Sequence, residues 1–551
     1  MPATKSPVAR ILNLLRLERK EISAIYFYAI LNGLIQLSLP IGVQAIIGYV
    51  LGASMRASLV VLIALVVLGV LIAGIMQVNQ MKIIEKIQQK LFVRYSFAFA
   101  NHLPNLDLKK NDTVYLPELV NRFFDVPLLQ KSLSKILLEI PTAVIQILFG
   151  LILLSFYHPA FILFGIILIT VLILILRFTG GKGLQTSLEK SKYKYKVAAW
   201  LEEMGRILLS VKLGKNNSMH MRKADDEVSS YLDARNKHFQ VLLFQFNILV
   251  IFKTLITAAM LIVGTLLMVN QQLTVGQFIA GEIVILLVLN SVEKLIINLS
   301  SVYDTLTAVE KISEITDKPV EQNGSIVLET TNKGLAIEMK DLSFSYNGEK
   351  NILNNISFEI KANEKVCIVG KDSSGKSTLL KLMTGAYADF TGAFLLNNVP
   401  VGNYHLDSLR AQTGVLLSQQ DIFQGTLWEN IALGNEKINI ETVKELTAKT
   451  GLADYIATLK NGYDTLLDPT GKRLPRSVVH KILLVRALAV NPRLLLLEEP
   501  WMNFQHNHRQ QIIELLLNLK NTTVVVVSSD EDFAKQCTKQ IEMDENGSLI
   551  N

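Results

Sequence analysis

Six stretches of the chain hold roughly 20 consecutive apolar residues each, the helix length needed to cross about 30 Å of hydrocarbon. They begin near Ala24, Ser58, Leu137, Ala160, Leu249 and Val275, and each is predicted as one membrane-spanning helix. The connections are of two kinds. Those after the first, third and fifth spans (GASMRAS, FYHPA, NQQLT) are short and carry one basic residue between them, Arg56. The others are long and basic, with Lys82, Lys86, Lys90, Arg94, Lys109, Lys110, Lys182, Lys190, Lys192, Lys194 and Lys196. Basic residues stay on the cytoplasmic side, so both termini and the long connections are expected there. Amphipathic patterning within the long connections (KIIEKIQQKLFVRYSFAFANHL; KYKYKVAAWLEEMGRILLSVKL) predicts helices that run on into water beyond the bilayer.

After the sixth span the pattern dissolves into a polar stretch with Pro319, Gly324 and several Asn, Thr and Glu, which reads as a linker. From Leu335 short β-branched runs alternate with helical patterns: LAIEMKDLSFSY, ILNNISFEI, EKVCIVG. The expected division is a membrane region at 1–312, a linker at 313–334 and an α/β region at 335–551.

Composition agrees with this picture. Half of the 551 residues are hydrophobic and the mean hydropathy is +0.34, too apolar a balance for a purely soluble protein. Two cysteines, Cys367 and Cys537, exclude a disulfide framework or a Cys-rich metal site, and both are expected as buried small hydrophobes. Arg10, Arg16, Arg19 and Lys20 ahead of the first apolar run imitate a signal peptide, but the run is too long and lacks a small-residue cleavage site. The net charge of +7 follows from the topology. No aromatic-studded basic motif accompanies it, so no nucleic-acid partner is expected.

The strand EKVCIVG leads into GKDSSGKST, residues 370–378, and a helical pattern follows. Strand, glycine-rich loop and helix form the context of a phosphate-binding loop. Gly370 and Gly375 let the backbone N–H groups of Lys371, Asp372, Ser373, Ser374 and their neighbours curl round phosphates. The following helix, with Thr378 in its first turn, adds its dipole. Lys376 is placed to reach the β and γ oxygens and Ser377 to ligate Mg²⁺. A second buried run, PRLLLLEEP, ends in two carboxylates. At a strand exit beside a phosphate loop, Glu498 falls where a metal ligand is needed and Glu499 where a base is needed.

Six spans with long cytoplasmic arms, followed in order by GKDSSGKST, LLSQQDIFQGTLWENI, RLPRSVVHKILLVRAL and LLLLEEP, resemble an exporter-type ATP-binding cassette half-transporter. The run LTVGQFIAGEIVILLVLNSVEKL is similar to type I secretion and bacteriocin exporters. The resemblance implies a multidomain chain: an all-α six-helix transmembrane domain of the type I exporter class, plus an α/β P-loop NTPase domain. It further implies ATP and Mg²⁺ as cofactors. Tyr346 would stack on adenine, Gln419 would link Mg²⁺ to the membrane-facing loop, and Glu499 would be the catalytic glutamate. It implies a homodimer, or a heterodimer with another half-transporter, in the lipid bilayer of a bacterial inner membrane, with a periplasmic adaptor as a further candidate partner. Coupling is expected through helix tips at residues 114–130 and 202–215. With about 20 residues ahead of the first span, the peptidase domain of some such exporters is not expected.

The chain departs from that family at several points. Where the family reads L-S-G-G-Q, residues 474–478 read Leu-Pro-Arg-Ser-Val. Pro475 has no hydroxyl or N–H, and Arg476 is bulky where glycine allowed close approach. The metal-binding Asp is Glu498, the stretch ending S-A-L-D is WMNFQ at 501–505, and the switch histidine is Ser529. The Gln419 loop is about one residue short. His506 and His508 are expected on the surface. The Ser529 defect falls on this chain's own phosphate site and the Arg476 defect on its partner's, so slow hydrolysis is expected. The alternative is an ATP-binding regulatory subunit that does not hydrolyse. Finally, Glu282 lies roughly 10 Å below the outer surface of the sixth span. A lipid-facing acid there would cost about 2.5 to 3.5 kcal/mol, so Glu282 is expected to face the bundle interior or a wet cavity.

Overall fold

The structure, a computed structural model, describes residues 6–51, 56–214, 218–471, 473–502 and 504–550. Residues 52–55 of the first short turn, Lys215 at the second expected tip, Lys472 and Asn503 lie outside the described residues. The chain divides into two compact units, Met1–Pro104 with Val114–Lys318, and Asn105–Thr113 with Pro319–Asn551.

The first unit is all helix: α1 (Pro7–Leu17), α2 (Arg19–Gln36), α3 (Ser38–Leu51), α4 (Arg56–His102), α5 (Leu116–Val120), α6 (Asp125–Tyr157), α7 (Ala160–Arg206), α8 (Leu208–Leu213), α9 (Met219–Val269), α10 (Val275–Ile297) and α11 (Leu299–Thr316). At 1.5 Å per residue, α4 and α7 with 47 residues each and α9 with 51 are about 70 to 77 Å long, more than twice the hydrocarbon thickness. The excess is the expected extension into water. The first span is two helices, α2 and α3, which part at Leu37; Pro40 sits in the first turn of α3, where a missing N–H is harmless. The structure also carries α11 to Thr316, into the segment expected as linker.

Burial shows what surrounds this unit. The span Ala57–Asn105 contains a window of mean hydropathy 3.2, yet only 11% of that window is buried. Exposed Leu65, Val67, Val70 and Leu71 on α4 and Ile162, Leu163 and Ile166 on α7 would be unfavourable in water, so lipid is their solvent. Small residues bring the helices together: a Cβ on Gly150 of α6 would come within 2.5 Å of Val288 Cγ2 on α10. Inside, Ser291 Oγ donates to Gln146 Oε1 at 2.8 Å, and Gln146 Nε2 donates to Gln36 Oε1, tying α10, α6 and α2 together. Near the inner edge Lys253 pairs with Glu293 at 2.9 Å and Lys294 with Glu139 at 3.8 Å. Glu282 is half-buried, and its Oε1 is enclosed without a hydrogen-bond partner among the described residues.

The second unit has two main sheets. In the antiparallel sheet β1 (Ile337–Phe344) lies between β2 (Leu353–Ile360) and β4 (Thr391–Leu396), and β5 (Val399–Pro400) follows β4. The parallel sheet runs β11 (Lys539–Met543), β3 (Lys365–Gly370), β10 (Thr523–Val527), β9 (Leu494–Glu498), β6 (Thr413–Leu416). A small pair, β7 (Gly425–Thr426) and β8 (Leu466–Leu467), stands apart. The helices are α12 (Lys376–Met383), α13 (Leu406–Arg410), α14 (Leu427–Ala432), α15 (Ile440–Thr450), α16 (Leu452–Ala457), α17 (Arg476–Ala489), α18 (His506–Asn518) and α19 (Glu531–Gln536). Strands β9 (LLLLE) and β10 (TVVVV) are apolar without alternation because both their faces are covered. Cys367 is buried in β3 as expected, whereas Cys537 is only half-buried. Residues 105–113 pack within this unit: Asp107 N–H donates to Pro319 O at 3.0 Å and Lys109 Nζ to Asp389 O at 2.5 Å.

Candidate functional site

Parallel pairing sets Ile368 of β3, Val527 of β10 and Glu498 of β9 abreast, because Val527 is registered against both of the others. The segments leaving these three adjacent strand ends therefore emerge side by side. They are the glycine-rich loop 370–378, Ser528 with Ser529, and Glu499. Ligands gather at such carboxyl ends of parallel strands.

Gly370 has φ +152 and Gly375 φ +90, values that L side chains rarely adopt. A Cβ on Gly370 would also lie 2.5 Å from Met543 O. Ser374 is fully buried beneath the loop, and Ser373 adopts φ +67. Lys376 folds over the loop: its Nζ donates to Gly370 O at 2.7 Å, Lys371 O at 2.5 Å and Ser374 Oγ at 3.3 Å. Burial lowers the pKa of this ammonium, against the opposing pull of Asp372, Glu499 and Glu498. Lys371 points away to Glu545 at 2.5 Å, and Asp372 is exposed.

Ser377 Oγ donates to Glu498 Oε1 at 2.5 Å, and Glu498 Oε2 accepts from the Ser418 N–H at 2.8 Å. The neighbouring carboxamide, Gln419, accepts instead from Lys381 Nζ at 2.9 Å. Among the described residues no three His, Cys, Asp or Glu side chains converge as a metal site. Two adjoining hard oxygen donors beside a phosphate loop suit Mg²⁺, which takes few protein ligands and completes its shell with phosphate and water oxygens. Glu499 sits at φ +42, and its carboxylate accepts from Ser528 Oγ at 3.0 Å and the Ser529 N–H at 2.9 Å. Tyr346, just after β1, meets Phe344 and Tyr387 edge-on at ring separations of 5.0 and 5.5 Å. Its hydroxyl lies 3.2 Å from Thr378 Oγ1, and burial raises its phenol pKa.

Pro475 precedes α17 without a side-chain cap, and Arg476 is exposed in its first turn. Behind them Val478, Val479, Ile482 and Leu483 are buried, so the helix keeps its seat despite the altered loop. His506 is exposed, and His508 is half-buried. Its ring lies where a Cβ on Gly451 would be, with Nδ1 enclosed. Nothing in the sequence singles out Ser528, Ser418 or His480, whose Nε2–H donates to Glu499 O at 3.0 Å. None belongs to a motif by residue type; Ser528 acts on a carboxylate that strand register brings close, His480 on a carbonyl that the packing of α17 brings close, and Ser418 acts through its backbone.

A family model for the ABC transporter transmembrane region matches residues 22–292, and one for the ABC transporter matches residues 353–502. The chain belongs to the ABC transporter family. Among curated relatives of this transporter, a Rickettsia felis protein named as an export ATP-binding/permease protein is 26% identical over 67% of the chain. The alpha-hemolysin translocation ATP-binding protein of Escherichia coli O157:H7 is 29% identical over 51% of it, and the ATP-dependent lipid A-core flippase of Saccharophagus degradans 32% over 40%. The transporter spans 65%, 40% and 38% of the length of these three relatives. A bacterial Atm1-family ABC exporter with ATP bound superposes with a TM-score of 0.86 at 18% identity, covering 97% of this chain and 94% of that one. The fold is thus that of an ABC exporter, and the chain is an integral membrane protein with a cytoplasmic ATP-binding domain.

Proposed function

We propose that this ABC transporter acts as a half-transporter in a dimer that uses slow ATP hydrolysis to drive export across the membrane. The observation that carries the reading is the alignment of three strand ends, which puts Lys376, Ser377, Glu498 and Glu499 beside one phosphate loop. ATP would lie with its phosphates along residues 370–378 and its adenine against Tyr346. Loop N–H groups and Lys376 would stabilise the charge that develops on the transferring phosphoryl group. Glu499 would orient the attacking water and take its proton. Ser377 and Glu498, with Gln419 once released from Lys381, would hold Mg²⁺, which when bound neutralises β- and γ-phosphate charge.

Residues 1–312 would form the translocation domain, 313–334 the linker and 335–551 the motor. Helix tips at 114–130 and 202–215 would couple the two, and cysteine crosslinks from either tip to the region of Gln419 test this. The partner would be a second copy or another half-transporter, with a periplasmic adaptor as a further candidate. Hydrolysis would be slow because Pro475 and Arg476 remove donors that the partner's nucleotide needs, and Ser529 brings no imidazole to this chain's own. The same residues support a second reading, in which bound nucleotide holds a conformation and is not cleaved.

Single-turnover phosphate release from the purified protein in lipid separates the two. Slow release, lowered about 10² to 10³-fold further in Glu499→Gln, is expected. No release above the Glu499→Gln background selects the regulatory reading, and a turnover typical of active ABC exporters refutes the impairment.

A further inference from the structure

We infer that Ser528 is a positioning residue for hydrolysis, holding the Glu499 carboxylate in place together with the Ser529 backbone; this rests on the proposed role of Glu499 as the base. Glu499 occupies the left-handed region at φ +42, which a non-glycine residue keeps only when its surroundings enforce it. Here every polar atom of the residue is engaged. Its N–H donates to Val527 O at 2.9 Å, and its carbonyl accepts from His480 Nε2 at 3.0 Å and from the Met502 N–H at 3.1 Å. Its two carboxylate oxygens accept from the Ser529 N–H and from Ser528 Oγ.

The direction of the Ser528 bond follows from its neighbours. The Asp530 N–H donates to Ser528 Oγ at 3.2 Å, so the single hydroxyl proton is free to point at Glu499 Oε2, 3.0 Å away. Ser528 is 1% exposed, so water does not compete for this bond. Its own N–H donates to Ile368 O at 3.3 Å, which anchors it to β3, the strand that carries the phosphate loop. The serine therefore fixes the base relative to the phosphate loop through one rigid step from strand to strand. Each carboxylate oxygen accepts one of these two donors and keeps a second lone-pair site for water. Ser529, standing where the family has its histidine, contributes through its main chain, so the hydroxyl one position earlier is the side chain that orients the base.

The test is single-turnover hydrolysis by the full-length protein in lipid, with four variants: Ser528→Ala, Ser528→Cys, Glu499→Gln and the Ser528→Ala/Glu499→Gln double. Loss of orientation at a reacting group commonly lowers rates ten- to a hundredfold. Ser528→Ala is therefore expected to lower the saturating single-turnover rate by about tenfold, with the ATP concentration giving half that rate changed less than twofold. In the Glu499→Gln background the same substitution should have no effect, a coupling that general loosening of the strand would not produce. Ser528→Cys keeps the side-chain shape, slightly enlarged, but offers only a weak donor, and should give the same loss if the alanine variant does not fold. An unchanged or raised single-turnover rate in both Ser528 single variants, or an equal loss with and without Glu499, overturns the inference. Full activity in Glu499→Gln alone overturns the role of Glu499, independently of Ser528.

Discussion

Alanine at Gly370 tests whether the phosphate loop owes its shape to two separate demands on one residue. The backbone there is at φ +152, and holding a side-chain-bearing residue in such a region costs about 1 to 3 kcal/mol. The added Cβ would also stand 2.5 Å from Met543 O and 3.0 Å from Ser374 Oγ, the first roughly 1 Å inside ordinary contact. Met543 pairs with Gly370 in the parallel sheet, so its carbonyl cannot retreat without disturbing β11. Overpacking of this kind adds about 1 to 3 kcal/mol. Alanine also stiffens the unfolded chain, which returns about 0.4 to 1 kcal/mol. The net expectation is about 1 to 5.5 kcal/mol, felt either as lost stability or, if the loop moves instead, as a loss of ATP affinity of about 5-fold or more. Gly434 is the control. It has φ +77, and no atom lies within 4 Å of where its Cβ would stand, so Gly434→Ala should carry only the backbone part, about 1 kcal/mol. Thermal unfolding of the detergent-solubilised full-length protein and labelling by a photoreactive ATP analogue together read both outlets. Gly370→Ala with unchanged midpoint and unchanged labelling, or Gly434→Ala losing as much, would refute the reasoning.

Restoring the altered loop by Pro475→Ser with Arg476→Gly should raise steady-state ATPase activity by about 10-fold or more if missing donors limit it; an unchanged rate places the limit elsewhere. His480 is held neutral by burial, which lowers its pKa, so the unfolded chain takes up a proton that the fold refuses as pH falls below about 6.5. Thermal stability of the cytoplasmic unit should therefore drop between pH 7 and pH 5, and His480→Gln should flatten that slope; parallel slopes would exclude His480 as the cause. If half-buried Glu282 lines a wet path, Glu282→Gln should reduce transport of cationic or polar compounds at normal expression, and unimpaired transport removes that role.

Much of this transporter is legible along the chain. The number of spans, the inward side of the long connections and the loop at 370–378 all follow from local rules: uninterrupted apolar length, the placement of lysines, and glycines between a strand and a helix. The break at Leu37 and the run of α11 to Thr316 are less visible, because an apolar run has the same texture whether one helix or two carry it, and a helix end is a matter of one or two residues. The contact of half-buried His508 with Gly451 cannot be seen at all, since 57 positions separate partners that only the packing of α18 on α15 unites.

The same division holds within the site. Lys376, Ser377, Glu498 and Glu499, proposed for phosphate and metal chemistry, stand out by residue type beside a recognisable strand, since such chemistry restricts which side chains can serve. The hold on Glu499 does not. It joins residues near 368, 480, 499 and 528 through backbone groups, one hydroxyl and one imidazole, and partners so far apart along the chain carry no shared pattern of residue types. What the sequence determined by itself was the kind of solvent each segment needs and the inventory of reactive groups. The tertiary structure alone decided which groups face one another and from what distance, because strand register and helix packing, not proximity along the chain, bring them within hydrogen-bonding range.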